Sequence, residues 1–227
     1  TYIGGNGPDV PGGIAVDAAG NVYVGGGTES TNFPGAATSP IQHAKAADRD
    51  GVVFALSPNG SELLYSTYLG GSGFEDVIAI ALDLSGAAYV VGRTESSNFP
   101  GTSGSAIQAV RGAEFDAFVT KVDPTGSSIV YSTYLGGNSL DYAFGVAADA
   151  SGSAYVAGYT ESTNFPGVGA GSIQPSHRGA EDAFVTKIDP SGSAILYSTY
   201  LGGSAEDFAF GIAVDRDGNA AVAGSTH

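Results

Sequence analysis

The 227 residues, 42% hydrophobic and 14% charged, suffice for one globular body with a real core and argue against disorder. Thirty-six glycines and few helix-favouring charged side chains suit short strands and tight turns better than helices. A net charge of −15 repels a phosphate backbone or an anionic membrane surface, and the absence of cysteine excludes disulfides and thiolate metal sites while leaving the compartment open.

In chain order, the first segment, Thr1 to Gly5, matches the end of a strand-like run that returns at Thr67, Thr133 and Thr199. The chain therefore reads as a mature product or a piece cut from a longer array. Its second glycine recurs at Gly5, Gly71, Gly137 and Gly203, a constant step of 66 residues that Asp17, Asp83, Asp149 and Asp215 also keep. A buried first strand is expected over Gly13 to Val16, Ile78 to Leu82, Phe144 to Ala148 and Gly211 to Val214. Each ends in Asp-x-x-Gly, a hairpin turn in which Asp bonds the turn amides and Gly takes positive φ. The returning second strands are Val22 to Gly25, Ala88 to Val91, Ala154 to Ala157 and Ala220 to Ala223.

An insert of about twenty residues, Thr28 to Asp50 in the first copy, precedes a third strand at Val52 to Ser57, Ala117 to Asp123 and Ala183 to Asp189. Turns at Gly60, Gly126 and Gly192 lead into a fourth strand at Leu63 to Leu69, Ile129 to Leu135 and Ile195 to Leu201. Its two tyrosines, three apart, project from opposite faces, so both faces need cover. Four antiparallel strands, apolar on both sides, describe an all-β propeller blade. Without its insert the repeat is about 44 residues, the period expected of propellers.

The motifs YSTYLGG, GIAVD, G-N/S-x-Y-V-A-G, T-E-S-T-N-F-P and DAFVTKIDPSG, recurring in one order over essentially the whole chain, resemble the bacterial SBBP (seven-bladed beta-propeller) repeat family. The GIAVD-x-x-GNVYV portion is also similar, more loosely, to NHL-type blades. The resemblance implies a secreted or surface-exposed bacterial protein with no common activity. Residues 1–227 are read as a single array with blade units at about 6–71, 72–137 and 138–203 and a partial unit at 204–227, about three and a half blades. The unpaired sheet edge predicts further blades in the native chain or self-association into a ring or filament, the tail Thr1 to Gly5 lying beside the last half blade.

In a propeller the loops from strand four to strand one and from strand two to strand three share a face, where function is expected to concentrate. That face receives Asp9, Asp76, Asp141 and Asp207 and the insert ends Asp50, Asp116 and Asp182, with Glu75, Glu181 and Glu206 directly before Asp76, Asp182 and Asp207. Calcium is a reasonable guest for Asp76, Asp141 and Asp207, although an Asp before a buried strand more often bonds its own loop amides. Asp215-Arg216-Asp217-Gly218-Asn219 resembles the start of a calcium loop but occupies a hairpin turn in the other copies. Glu29, Glu95 and Glu161, with Phe33, Phe99 and Phe165, are the candidate ligand-binding residues: an aromatic stacks on a sugar or seals a blade joint, and recurrence at every joint favours sealing. The Ile-Gln pairs at 41, 107 and 173 anchor the inserts, the isoleucine tucking under the loop.

Enzymatic signals are thin. His43, His177 and His227 are not equivalent, and neither a Gly-x-Ser-x-Gly elbow nor a tryptophan-bearing Asp box occurs. The expectation is a non-enzymatic extracellular or surface module, structural or adhesive, that binds carbohydrate or protein through its acidic loop face. It needs no cofactor unless calcium, and does not insert in a membrane or bind nucleic acid. The alternative is a glycosidase or lyase with carboxylates at the central mouth.

Overall fold

A computed structural model describes residues 1–104, 106–112 and 114–227. The strands are β1 (Asp9–Val16), β2 (Val22–Thr28), β3 (Asp50–Leu56), β4 (Leu63–Leu69), β5 (Glu75–Leu82), β6 (Ala88–Thr94), β7 (Asp116–Val122), β8 (Ile129–Leu135), β9 (Asp141–Ala148), β10 (Ala154–Thr160), β11 (Asp182–Ile188), β12 (Ile195–Leu201), β13 (Asp207–Val214) and β14 (Ala220–Thr226). They form three four-stranded antiparallel sheets and one two-stranded sheet, each paired in sequence order. The first strands β1, β5, β9 and β13 pack against one another, and the fourth strands lie outermost. These are blades of an open propeller, whose sheets do not close into a ring.

The first strands start three or four residues earlier than their apolar runs suggest, at the carboxylate Asp9, Glu75, Asp141 or Asp207. A β-bulge at Gly12, Ile78, Phe144 or Phe210 interrupts the alternation and hides the earlier half of the strand. The second strands likewise run on to Thr28, Thr94, Thr160 and Thr226. Both turn types are as expected: Gly20, Gly86, Gly152 and Gly218 have φ between 83 and 86°, with Asp17, Asp83, Asp149 and Asp215 accepting the backbone N–H groups two and four residues on, and Gly60, Gly126 and Gly192 have φ between 66 and 69°.

Core clusters fill each joint between sheets. Tyr23, Val53, Val77, Ile80, Val90 and Phe118 lie in the first, and Tyr89, Val91, Val119, Val146, Val156 and Phe184 in the second. The hydroxyls of Tyr89 and Tyr155 reach across a joint and donate to the carbonyls of Gly152 (2.6 Å) and Gly218 (3.1 Å) in the next blade's turn. Thr1 to Gly5 is not a strand and does not lie beside β14. Thr1 Oγ1 donates to Gly60 O at 3.0 Å, and Ile3 packs with Phe33, Val52 and Phe54, because the first sheet offers an uncovered apolar face close by.

Candidate functional site

The Gly-Gly corner that leads into each first strand is held by its second glycine in all four copies and by its first glycine in three. The second glycine donates its N–H to the carboxylate opening the next strand: Gly5 to Asp9 (2.8 Å), Gly71 to Glu75 (2.9 Å), Gly137 to Asp141 (2.7 Å) and Gly203 to Asp207 (2.7 Å). The first glycine donates to a glutamine of the insert: Gly70 to Gln42 (2.9 Å), Gly136 to Gln108 (3.0 Å) and Gly202 to Gln174 (2.9 Å). The same glutamines donate to Asp50, Asp116 and Asp182 at 2.8, 3.1 and 2.8 Å. Two buried carboxylates thus flank one glycine. A Cβ on Gly136 would fall 2.6 Å from Asp116 Cγ and 2.7 Å from Asp141 Oδ2. Burial pushes Asp50, Glu75 and Asp141 up, Asp141 to about 7, and the neighbouring carboxylate adds to the shift of Glu75 and Asp141.

Every recurring letter of Thr-Glu-Ser-x-Asn-Phe is engaged in this clamp, the glutamate only in the third blade, where Glu161 accepts from Ser139 Oγ at 3.0 Å. In the second blade Thr94 and Ser96 donate to Glu75, Asn98 accepts from Ser72 N, and Tyr134 donates to Ser96 O while accepting from Phe99 N. Phe33, Phe99 and Phe165 are 3, 2 and 2% exposed and lie against Phe54, Phe118 and Phe184. They seal the core and present no ring to a ligand, which corrects their candidacy as binding residues. Glu29 and Glu95 are exposed and Glu161 is half-buried.

The proposed calcium triad is also corrected. Asp76 is not the counterpart of Asp141 and Asp207; the 66-residue step lands on Glu75, which is buried, while Asp76 faces Arg49 (2.7 Å) and Arg93 (3.1 Å). Asp141 and Asp207 belong to separate corners, and among the described residues no three His, Cys, Asp or Glu side chains are grouped to hold a metal ion. Asp215 is engaged in its turn, accepting from Asp217 N and Asn219 N. Ile41 and Ile107 pack on the cores of the next joint as expected, whereas Ile173 is 86% exposed.

What does not repeat converges elsewhere, on the mouth formed by the first strands. At each joint the residue before the third strand hands its carbonyl to the first amide of the next blade: Arg49 to Glu75 (3.1 Å), Phe115 to Asp141 (2.9 Å) and Glu181 to Asp207 (2.8 Å). This brings positions 49, 115 and 181 beside positions 76, 142 and 208. The Arg93 guanidinium sits about 5 Å from the ring centroids of Phe74, Phe115 and Tyr142 and bonds the Tyr142 hydroxyl at 3.2 Å. From there Tyr142 stacks on Tyr159 (5.0 Å), Tyr159 meets Phe208 edge-on (5.1 Å), and Phe208 stacks on Phe210 (5.9 Å). The bulges turn Phe144 and Phe210 into the same track, 5.7 Å apart. At its far end burial, and after it the Glu206 and Glu161 carboxylates, push Glu181 up.

Neither this track nor the glutamine clamp was singled out from the sequence. The clamp was signalled by the fixed Ile-Gln pair, and the track by the non-repeating residues at otherwise regular positions such as 27, 93, 159 and 225. A family model described as SBBP, a beta-propeller repeat, matches residues 1–34, 64–100, 130–166 and 196–227, more than half of the chain. No curated protein matches it.

Proposed function

Because the chain belongs to the SBBP beta-propeller repeat family, we propose that it is a non-enzymatic module with a structural or adhesive role, secreted or displayed on a bacterial surface, that holds a carbohydrate or protein ligand on its loop face. The observation that carries the reading is the division of labour among side chains. The recurring carboxylates are held by backbone and hydroxyl donors inside the fold, whereas the residues that break the repeat gather in one aromatic and charged track at the mouth. A glycan and protein array paired with a hydrolysis screen tests it: binding without turnover is expected. Turnover lost in Glu181→Gln would favour the second reading, a carbohydrate-active enzyme, for which Glu181, raised in pKa beside Glu206 and Glu161, is the observation.

The reading calls for no cofactor. Melting temperatures in millimolar calcium and in chelator are expected to coincide, and a rise with calcium would overturn that part of it. No helix among the described residues is long and apolar enough to cross a membrane.

The two ends of the open propeller suit self-association or further blades. Val10, Ile14 and Val16 are exposed at one end and Phe210 and Val222 at the other, and β14 has no strand on its outer edge. The sedimenting mass of the purified chain is expected to grow with concentration. A monomer throughout, with full hydrogen-exchange protection of Ala220 to Gly224, would reverse this expectation.

A further inference from the structure

Around the mouth, three joints occupy equivalent places but carry different charge. At the first, Arg49 lies between Glu29 (3.6 Å) and Asp76 (2.7 Å) with its guanidinium 5.5 Å from the Phe74 ring, and Arg93 pairs with the other oxygen of Asp76. Two cations answer two acids there. At the second the corresponding residues are Phe115, Leu140 and Tyr142, with Glu95 exposed at the rim, and Arg93 covers the rings. At the third, the place of Arg49 is taken by Glu181 and that of Phe74 by Glu206, while Glu161 repeats Glu29. Ring faces continue into this joint through Tyr159 and Phe208.

We propose that the third joint receives a guanidinium from outside, an arginine side chain of a basic segment on a partner protein, laid against Phe208 and Tyr159 and met by Glu161, Glu181 and Glu206. This rests on the binding role proposed above and names the chemistry of the partner. Three observations carry it. The same track already holds a guanidinium over three rings one joint earlier, so its geometry suits that group. Glu181 Oε2 is enclosed and has no hydrogen-bond partner, so a donor is wanted where the first joint supplies Arg49. Three acids, with His177 and His227 as basic neighbours, leave this joint negative, and the repulsion from Glu206 and Glu161, which adds to burial in raising the pKa of Glu181, is relieved by a cation. A guanidinium is favoured over an ammonium because its planar fork stacks on a ring and bonds carboxylates at once.

The test is titration of the full chain with a labelled arginine peptide flanked by glycines, alongside its citrulline and lysine counterparts, at low and high salt. Saturable binding is expected for the arginine peptide, weakened by salt and at least about tenfold weaker for citrulline, with lysine in between. Glu181→Gln is expected to lose about tenfold and Phe208→Ala a comparable amount, with melting curves confirming that both variants fold. Glu62→Gln, on the exposed turn before β4, is expected to bind as the unaltered chain does. Equal binding of citrulline, or equal loss in Glu62→Gln and Glu181→Gln, would overturn the proposal and leave only attraction to the overall negative charge. Glycan or protein binding on the array without arginine-peptide binding would defeat this inference while sparing the broader reading; no binding of any kind would defeat both.

Discussion

Gly158→Ala is expected to destabilise the fold by about 3 kcal/mol or more, a fall of about 6–12 °C in melting temperature for a body of this size. Gly158 pairs with β9 where the bulge at Phe144 brings the two backbones together, and a Cβ there would fall 1.8 Å from Tyr142 O and 2.9 Å from Ala143 Cα. Both obstacles are main chain, so no side chain can swing aside. Relief requires the bulge to open, which would also shift Phe144 away from Tyr159 and Phe210. Gly92 and Gly224 meet the same obstacle at 1.8 Å. Gly169→Ala is the control, since nothing lies within 4 Å of its added Cβ. Urea or thermal unfolding of the two variants checks the expectation, and equal curves would remove it.

Asp141→Asn is expected to stabilise the protein at pH 8 and to flatten its pH profile. Asp141 is fully buried; its Oδ2 accepts from Gly137 N and Ser162 Oγ, the Thr160 hydroxyl also bears on its carboxylate, and Asp116 stands across Gly136. Burial first, and Asp116 second among the raising influences, push its pKa from the ordinary 3.8 to about 7. A carboxyl raised in the folded state binds its proton more tightly there than in the unfolded chain. Its stabilisation is therefore complete below about pH 4 and is lost as pH climbs through about 7. At 1.36 kcal/mol per pH unit the change at this site is bounded by about 4 kcal/mol. Asparagine keeps the acceptor for Gly137 and Ser162 and carries no charge, so the variant should lose that slope. Unfolding free energies between pH 4 and 8 measure it; parallel profiles for the two proteins would show that Asp141 titrates as an ordinary carboxyl.

The blades were legible in the sequence because apolar runs and Asp-x-x-Gly turns are local signals, repeated at a fixed step. Their edges were not. The bulge at Phe144 sets one extra residue against the pairing, so alternation breaks and Asp141 looks like loop rather than the first residue of β9. Asp76 stands out over Glu75 for a different reason: the aspartate matches the residue type of its counterparts, but the position is set by the backbone of the Gly-Gly corner. The recurrence of Phe33, Phe99 and Phe165 suits packing as well as binding, and burial decides for packing. The mouth track was invisible for a different reason. Arg93, Phe115, Tyr142, Tyr159 and Phe208 come from three blades and share no motif, so only the stacking of first strands around the axis brings them together.

The clamped corners also determine how the chain answers a pull. Between one blade and the next the polypeptide passes through a Gly-Gly turn whose two amides are gripped by separate side chains, Gln108 and Asp141 for example. Tension between the ends therefore loads these grips, and rupture of one frees the stretch up to the next equivalent grip, 66 residues on. At about 3.3–3.6 Å per extended residue, each event lengthens the chain by roughly 22 nm. An array of such blades behaves under load as a series of equal extensible links, absorbing work one link at a time while the rest stay folded.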